Sequence, residues 1–331
     1  MNLPPAVVIG ASAGGVAALF ELTAALPANF PAVVAIVLHV GNRPSLLPAL
    51  INRHSANPAL HPEEGEVPQA GTIYVAPPDQ HLLLRPQGIR LTRGARENHA
   101  RPAIDPLFRT AAIGWGPRAI GVILTGNLDD GTAGLAAIKE CGGTTIVQDP
   151  ATAAEPSMPA SALAHVAVDH CLPLQGIPAL LQQLVSRMPT DPPAVPLPER
   201  LLREQAVFEG GGIDRVRHLE SVGSPSNLTC PECGGSLWEL NHSRPSRYRC
   251  HTGHGYSAGS LKLAQAQALD QSLASSFRLL HEREMLLRRL AVVADATGDT
   301  VQAEAGRRAA DRVSEQAQLL QKVLLTQGAS A

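Results

Sequence analysis

The sequence lacks the features that mark several common classes of protein. No apolar run approaches the roughly 18 residues of a membrane-spanning helix, and the longest one, residues 32–40, has the length of a buried strand. The net charge of −2 gives no electrostatic reason to expect nucleic acid or an anionic membrane surface as a partner. No basic region opens the N-terminus, which argues against a secretory signal. We therefore expect a cytoplasmic protein that is not embedded in a membrane.

Cysteine is scarce and unevenly placed. Of the five cysteines, Cys141 and Cys171 stand alone, and the other three cluster late in the chain. An odd number with this distribution favours a reducing compartment and a metal site over a disulfide framework.

The late cysteines occur in the segments Cys-Pro-Glu-Cys, at residues 230–233, and Cys-His-Thr-Gly-His, at residues 250–254. Two such pairs with neighbouring glycines predict a zinc ribbon at residues 228–258, and four protein ligands leave no open position for water, as in structural zinc sites. The predicted ligands are Cys230, Cys233, Cys250 and His254, with His251 as the alternative fourth ligand. The alternative to a metal site is a loop that carries reduced cysteines.

The rest of the chain has three other parts. Residues 1–185 alternate apolar strands with Ala/Leu-rich helical stretches, which predicts a doubly wound α/β fold with a mostly parallel sheet and helices on both faces. We expect a strand at residues 166–168 and an antiparallel edge within residues 72–91. Residues 186–227 open with a run of prolines and predict a linker. Residues 259–327 have apolar residues at three- and four-residue steps, which predicts a helical hairpin that turns near residues 297–299.

Ser12 lies in a short apolar strand that runs into glycines, Val-Ile-Gly-Ala-Ser-Ala-Gly-Gly, at residues 8–15. The Gly-x-Ser-x-Gly spacing is typical of a strand-to-helix turn that exposes a nucleophilic serine. Two other interpretations remain open: Ser12 caps the following helix, or the glycine turn binds a phosphate. The turn has neither the Gly-x-Gly-x-x-Gly pattern nor the lysine of a P-loop.

His39 and Asp130 follow two other predicted strands, residues 33–39 and 120–124. Because the carboxyl ends of parallel strands meet at one edge of a sheet, Ser12, His39 and Asp130 are expected to converge there. A serine, an imidazole and a carboxylate together predict acyl transfer. Taken singly, His39 is also typical of a core histidine, and Asp-Asp-Gly of an ordinary turn. The order Ser, His, Asp differs from that of the α/β-hydrolases.

Six ordered motifs across residues 5–182 resemble the catalytic domain of chemotaxis protein-glutamate methylesterases. They are residues 8–15, Leu-His at 38–39, Tyr-Val-Ala-Pro-Pro-Asp-Gln-His at 74–81, Arg-Pro-Ala-Ile-Asp-Pro-Leu-Phe at 101–108, Leu-Thr-Gly-Asn-Leu-Asp-Asp-Gly-Thr-Ala-Gly at 124–134 and Ser-Met-Pro at 157–159.

The resemblance implies a carboxylic ester hydrolase that removes methyl groups from glutamate side chains of chemoreceptors, and in many members also deamidates receptor glutamines, without an organic cofactor. Ser12 matches the nucleophile, His39 the general base and Asp130 the orienting carboxylate, whereas Asp129 is the less favoured neighbour. The implied partner is a methylated chemoreceptor or a similar protein as substrate. For the zinc ribbon and the C-terminal helices, two roles stay open: they bind an unidentified protein partner, or they cover the active site.

Two local departures from the family stand out. Ala13 replaces a common threonine, and Asn-Leu at residues 127–128 replaces a common Met-Gly. Arg101 and Asp105 match a family motif near the edge of the active site, and we assign neither residue a role. Because the first strand starts at residue 6, we expect no receiver domain and no phosphorylation control within the chain.

Two other functions remain open. The first is a catalytically inactive methylesterase-like scaffold that binds through the zinc ribbon and helices. The second is a nucleotide-binding protein, which the absence of the full glycine fingerprint disfavours.

Overall fold

The computed structural model describes residues 3–40, 44–189, 193, 195–210, 212–241 and 243–327. These residues divide into two compact units, Met1–Leu261 and Lys262–Ala331. Within the described residues, no helix combines the length and apolar character needed to cross a membrane.

The first unit is built around a seven-stranded, fully parallel sheet. The strands of the first part of the chain are β1 (Ala6–Ala11), β2 (Val33–Leu38), β3 (Ala59–Leu60), β4 (Ile73–Val75), β5 (His81–Leu83), β6 (Arg90–Thr92), β7 (Ala119–Ile123), β8 (Thr144–Gln148) and β9 (His170–Leu172). The order across the sheet is β3-β4-β2-β1-β7-β8-β9. Because β2 and β7 lie on opposite sides of β1, the strand order reverses at β1.

Helices cover both faces of this sheet. They are α1 (Gly15–Ala24), α2 (Leu47–Ile51), α3 (Ile104–Trp115), α4 (Thr132–Glu140), α5 (Ser157–His165) and α6 (Ile177–Arg187). Strand β1 is buried along its whole length, with Ala6 and Val8 in one apolar core and Val7 and Ile9 in the other. Strands buried on both faces explain the continuous apolar runs in the sequence. The doubly wound α/β prediction is confirmed.

Three local predictions differ from the structure. Val166 is the C-terminal cap of α5, and the strand lies at β9 instead of residues 166–168. Strand β4 joins the parallel sheet, while β5 and β6 form a separate antiparallel pair. The predicted linker contains the helices α7 (Glu199–Glu209) and α8 (Gly212–Val222), because α7 buries apolar side chains such as Leu201 and Val207. Residues 190–192, 194 and 211 of that segment lie outside the described residues.

The end of the first unit is a four-stranded antiparallel sheet, which we call the ribbon. Its strands are β10 (Gly223–Thr229), β11 (Ser236–Leu240), β12 (Arg247–Cys250) and β13 (Gly255–Ser257), and each pairs with the next. The two candidate ligand segments lie in its turns.

The second unit is a helical hairpin within α9 (Ala258–Ala296) and α10 (Thr300–Gln327). Ala303, Ala310 and Ala317 recur every seven residues and are buried, a spacing that keeps small side chains on one face. A Cβ on Gly306 would lie 3.1 Å from that of Ala291, so the two helices approach closely. The predicted hairpin and its turn are confirmed.

Five charged side chains form a buried ion-pair cluster between the parallel-sheet region and the ribbon. They are Glu97, Arg109 in α3, Glu204 in α7, and Arg247 and Arg249 in β12. Glu97 Oε1 accepts hydrogen bonds from Arg109 at 2.8 Å and from Arg249 at 2.6 Å. Burial alone would raise the pKa of Glu97, but these two guanidinium groups bring it well below its usual value. The cluster therefore joins distant segments through paired, desolvated charges.

Glu97→Gln would remove the closer of the two carboxylates that the buried Arg109 and Arg249 share. Removing one member of a buried ion pair typically costs about 3–5 kcal/mol of unfolding free energy, and we expect a loss of that size. Urea denaturation followed by tryptophan fluorescence measures it, because both tryptophans, Trp115 and Trp238, lie in the first unit.

The matched control is Glu199→Gln, which removes an exposed pair with Arg203 four residues along α7. We expect it to cost less than about 0.5 kcal/mol. Equal losses for the two variants would contradict the importance of the cluster.

Candidate active site

The three side chains predicted to converge all follow strands at the centre of the parallel sheet. Ser12 follows β1 and His39 follows β2, and the two strands are paired up to Ala11 and Leu38. Asp130 lies in the loop after β7, on the other side of β1. The three residues therefore surround the point where the strand order reverses, which is the usual position of sites in open α/β sheets.

The structure places these side chains in one hydrogen-bonded chain. Ser12 Oγ lies 3.1 Å from His39 Nδ1, and His39 Nε2 lies 2.8 Å from Asp130 Oδ2. An ionised carboxylate can only accept, so Nε2 carries a proton and Nδ1 is free to accept one from Ser12. The His39 side chain is 21% exposed and that of Asp130 is 3% exposed. The imidazole of His39 is thus partly accessible to solvent, whereas the carboxylate of Asp130 is buried.

The carboxylate of Asp130 receives hydrogen bonds from four residues besides His39. Oδ2 accepts from the Ile104 amide at 2.7 Å, and Oδ1 accepts from Asn98 Nδ2 at 2.8 Å and from two more amides. Those two belong to Asp105 and Gly131. Burial alone would raise the pKa of Asp130, but the hydrogen bond and charge of His39, with the hydrogen bonds from the Ile104 amide and Asn98, lower it. Ile104 and Asp105 open α3, so its N-terminus also favours the negative charge.

The turn around Ser12 has no room for a side chain at Gly10 and needs a glycine conformation at Gly14. A Cβ on Gly10 would lie 2.5 Å from Ile104 Cγ2, and Gly14 has a φ of +76°. Helix α1 has no side-chain cap, so the capping interpretation of Ser12 is wrong. Its hydroxyl instead faces His39.

The backbone beneath Ser12 is fixed by the loop after β7. The Ser12 amide donates to the Thr125 carbonyl at 3.0 Å. A Cβ on Gly126 would lie 2.8 Å from Ser12 Cβ and 2.2 Å from the sulfur of Met158, which is fully buried. Gly126 therefore lets this loop approach the serine.

The neighbouring candidates have other partners. Asp129 Oδ1 accepts a hydrogen bond from Ser257 Oγ at 2.6 Å. Arg101 binds Asp79, with its Nη2 2.6 Å from Oδ1. Asp105 Oδ1 accepts from the Gly134 amide at 2.6 Å, and burial and the Asp130 charge raise its pKa. None of these three contacts involves His39.

The sequence argument missed Asn98, which also lines this region. Asn98 bridges Asp105 and Asp130, and its φ of +50° is a value that asparagine tolerates better than most residues. Leu128, which the sequence analysis already named as a departure, has a φ of +64°, a value that glycine adopts more readily than leucine does.

The four predicted metal ligands converge in the ribbon. One ligand atom from each of Cys230, Cys233, Cys250 and His254 lies within 4.8 Å of all the others. His254 Nδ1 lies 3.6 Å from Cys230 Sγ and 3.5 Å from Cys250 Sγ. This Cys3His group could bind a metal, and His251 is not part of it.

Gly126→Ala would force its Cβ against Met158 and Ser12. We expect the serine to move relative to His39, with a loss of about 1–3 kcal/mol in stability from overpacking and a fall in Ser12 reactivity. Labelling with a fluorophosphonate probe, with thermal denaturation in parallel, measures both effects. Gly176→Ala is the control, because its Cβ would meet its nearest atom at 3.7 Å; equal labelling of the two variants would contradict this role of Gly126.

Known proteins resemble one part of this chain. It is 42% identical over 187 residues to a protein-glutamate methylesterase/protein-glutamine glutaminase of Burkholderia lata, a match that covers 56% of this chain and 54% of that protein. A putative protein of the same description from Leptospira interrogans is 41% identical, with 54% of this chain and 94% of that protein covered. The chain thus spans about half the length of the Burkholderia relative.

A solved structure has a fold similar to that of the same part of this chain. The CheB methylesterase catalytic domain of Thermotoga maritima is 35% identical, with a TM-score of 0.53, and the match covers 55% of this chain and 98% of that domain. Residues 7–181, more than half of the chain, match the family model described as CheB methylesterase. The chain belongs to the CheB methylesterase family.

Proposed function

We propose that the protein is a protein-glutamate methylesterase that hydrolyses γ-glutamyl methyl esters on chemoreceptor-like proteins. The observation that carries the proposal is the hydrogen-bonded chain of Ser12, His39 and Asp130 at the sheet's reversal point. Membership of the family and the names of the relatives support the same reaction. We place this reaction in the cytoplasm, where the methylated segments of such receptors would be the partner.

In the proposed reaction, Ser12 Oγ attacks the ester carbonyl while its proton passes to His39 Nδ1. Asp130 stabilises the imidazolium through Nε2 and keeps the ring oriented. The tetrahedral intermediate collapses, and methanol leaves with the proton from Nδ1. Water then repeats the sequence on the acyl-enzyme, which yields a glutamate carboxylate and free Ser12.

Backbone amides at the start of α1 are suited to the oxyanion of this intermediate. The turn that follows Ser12 leads directly into the N-terminus of α1. The Gly15 amide donates to the Ser12 carbonyl at 2.8 Å, so the helix dipole and the amides that follow Gly15 would favour the negative charge. The same acyl-enzyme forms from a glutamine side chain when ammonia leaves instead of methanol. Glutamine deamidation is therefore part of the proposal, as the names of the relatives suggest.

For the ribbon, we propose a structural zinc held by Cys230, Cys233, Cys250 and His254. Ligand atoms placed tetrahedrally about 2.0–2.3 Å from zinc lie roughly 3.5–3.8 Å apart, and the Cys233–Cys250 sulfur distance is 3.7 Å. His254 points Nδ1 at the sulfurs and Nε2 at Glu232, 3.3 Å away, as metal-bound histidines commonly do. The metal would stabilise the ribbon and take no part in the ester chemistry.

Ser12→Ala tests the reaction, because it removes the attacking oxygen and leaves the fold intact. We expect the wild type to release methanol from a methylated chemoreceptor fragment, and the variant to release none above background. Ser236→Ala, an exposed serine in the ribbon, is expected to keep wild-type turnover. Methanol release that survives in Ser12→Ala would exclude Ser12 as the nucleophile, and a wild type without release would favour the scaffold.

Cys230→Ser tests the metal site. We expect one zinc per chain in the wild type, measured by elemental mass spectrometry, and loss of that zinc with a lower melting temperature in the variant, because metal binding supplies folding energy to such sites. Cys171→Ser alters an exposed cysteine outside the cluster and should keep its zinc. A Cys230→Ser protein that retains the full zinc content would contradict the assignment.

A further inference from the structure

Asn98 lies between the buried carboxylate of Asp130 and the last strand of the ribbon. Its Nδ2 donates to Asp130 Oδ1 at 2.8 Å and to Asp105 Oδ2 at 2.9 Å. Its Oδ1 accepts from the Ser257 amide at 2.9 Å and from Ser260 Oγ at 3.2 Å. One side chain therefore joins the candidate catalytic site to residues more than 150 positions later in the chain.

The chemistry of these partners fixes the orientation of the amide. A backbone N–H can only donate, so the Ser257 amide requires the oxygen of Asn98 on the ribbon side. An ionised Asp130 can only accept, so it requires the NH2 group on its own side. A flipped amide would lose both hydrogen bonds, because its NH2 group would face the Ser257 N–H and its oxygen would face the Asp130 carboxylate. The ribbon and the carboxylate thus favour the same orientation, in which Asn98 presents a donor to Asp130.

The backbone of Asn98 is held by the same strand. Its amide donates to the Gly255 carbonyl at 2.8 Å, and the Gly255 amide donates to the Arg96 carbonyl at 3.0 Å. These bonds form a short parallel bridge between the loop and β13. Ser257 and Ser260 are 3% and 0% exposed, so water does not compete for their hydrogen bonds to Asn98.

We propose that Asn98 is a positioning residue for the triad carboxylate, and that β13 of the ribbon and Ser260 at the start of α9 set its orientation. This inference rests on the proposed esterase reaction. It makes the C-terminal ribbon part of the support of the catalytic centre, since one of the donors to Asp130 Oδ1 is aligned by it. Asn98 acts through Asp130, which in turn orients His39.

We expect that removing the Asn98 side chain lowers the turnover rate without changing substrate binding. Without the Asn98 donor, the buried charge of Asp130 is incompletely satisfied, and its hold on the His39 ring weakens. The loss of one hydrogen bond to a charged group corresponds to roughly 10- to 100-fold in rate. Because Asn98 contacts the carboxylate and not the nucleophile, we expect kcat to fall by that factor while KM stays within about twofold.

The test uses Asn98→Gly in the full-length protein, since glycine adopts the positive φ without strain. Methanol release gives kcat and KM, and the rate of Ser12 labelling by a fluorophosphonate probe gives a readout that needs no receptor substrate. Asn98→Asp keeps the shape and the acceptor toward Ser257 but puts a carboxylate oxygen against Asp130, and we expect at least as large a loss. Zinc content and melting temperature show whether each variant is folded.

A double-mutant cycle separates positioning from a general structural role. In an Asp130→Asn background, Asn98→Gly is expected to cost less than about threefold, because its target carboxylate is gone. An equal loss in both backgrounds would overturn the proposal. Ser260→Ala, on the ribbon side, should lower kcat about two- to fivefold, whereas the exposed Ser236→Ala should not.

Methanol release and Ser12 labelling together distinguish a wrong ester substrate from a wrong role of Asn98. Wild-type turnover that Asn98→Gly leaves unchanged would overturn the positioning role while the esterase stands. A wild type that releases no methanol but is labelled at Ser12 would reject the ester substrate, and a 10- to 100-fold slower labelling of Asn98→Gly would still support the positioning role.

Discussion

The buried charge of Asp130 requires hydrogen-bond donors from several segments of the surrounding structure. A carboxylate withdrawn from water costs several kcal/mol unless hydrogen bonds replace its hydration. Its donors come from separate places: the end of β2, the start of α3, the loop that contains Asn98, and its own turn. Satisfying one charge therefore requires all of these segments to meet at the reversal point of the sheet.

The glycines around Ile104 follow from the same requirement. The Ile104 amide reaches Asp130 only if the start of α3 lies against the sheet. A Cβ on Gly10 would meet Ile104 at 2.5 Å, and a Cβ on Gly131 would meet it at 2.7 Å. The Gly10 that precedes the serine turn thus serves the packing of the helix that stabilises the carboxylate, in addition to the turn itself.

Two neighbouring residues of one loop connect the ribbon to this site in different ways. Glu97 pairs with Arg109 and Arg249 in the buried cluster, and Asn98 turns toward Asp130. The first interaction holds the two regions together through paired charges, and the second aligns a single donor. Both act on a loop whose backbone is also hydrogen-bonded to β13.

The sequence predicts those parts of the site whose position follows from a local rule. Ser12, His39 and Asp130 each follow a strand, so the parallel sheet alone brings them together, and the four ribbon ligands follow from short spacings. Asn98 could not be found this way, because Asp130 and Ser257 lie 32 and 159 residues away. Helix α7 was missed for a related reason: Glu204, a charged residue, occupies a core position, since its partners come from α3 and β12.

The orientation of the His39 ring follows from the order of the strands. Ser12 follows β1, the strand beside that of His39, so the ring nitrogen nearer the main chain, Nδ1, reaches its hydroxyl. Asp130 follows β7, one strand further away, and neighbouring strands lie about 4.8 Å apart. Only the distal nitrogen, Nε2, extends across β1 to that carboxylate. The ring nitrogen that faces Ser12 is therefore Nδ1, because β1, which leads to Ser12, lies between the strands that lead to His39 and Asp130.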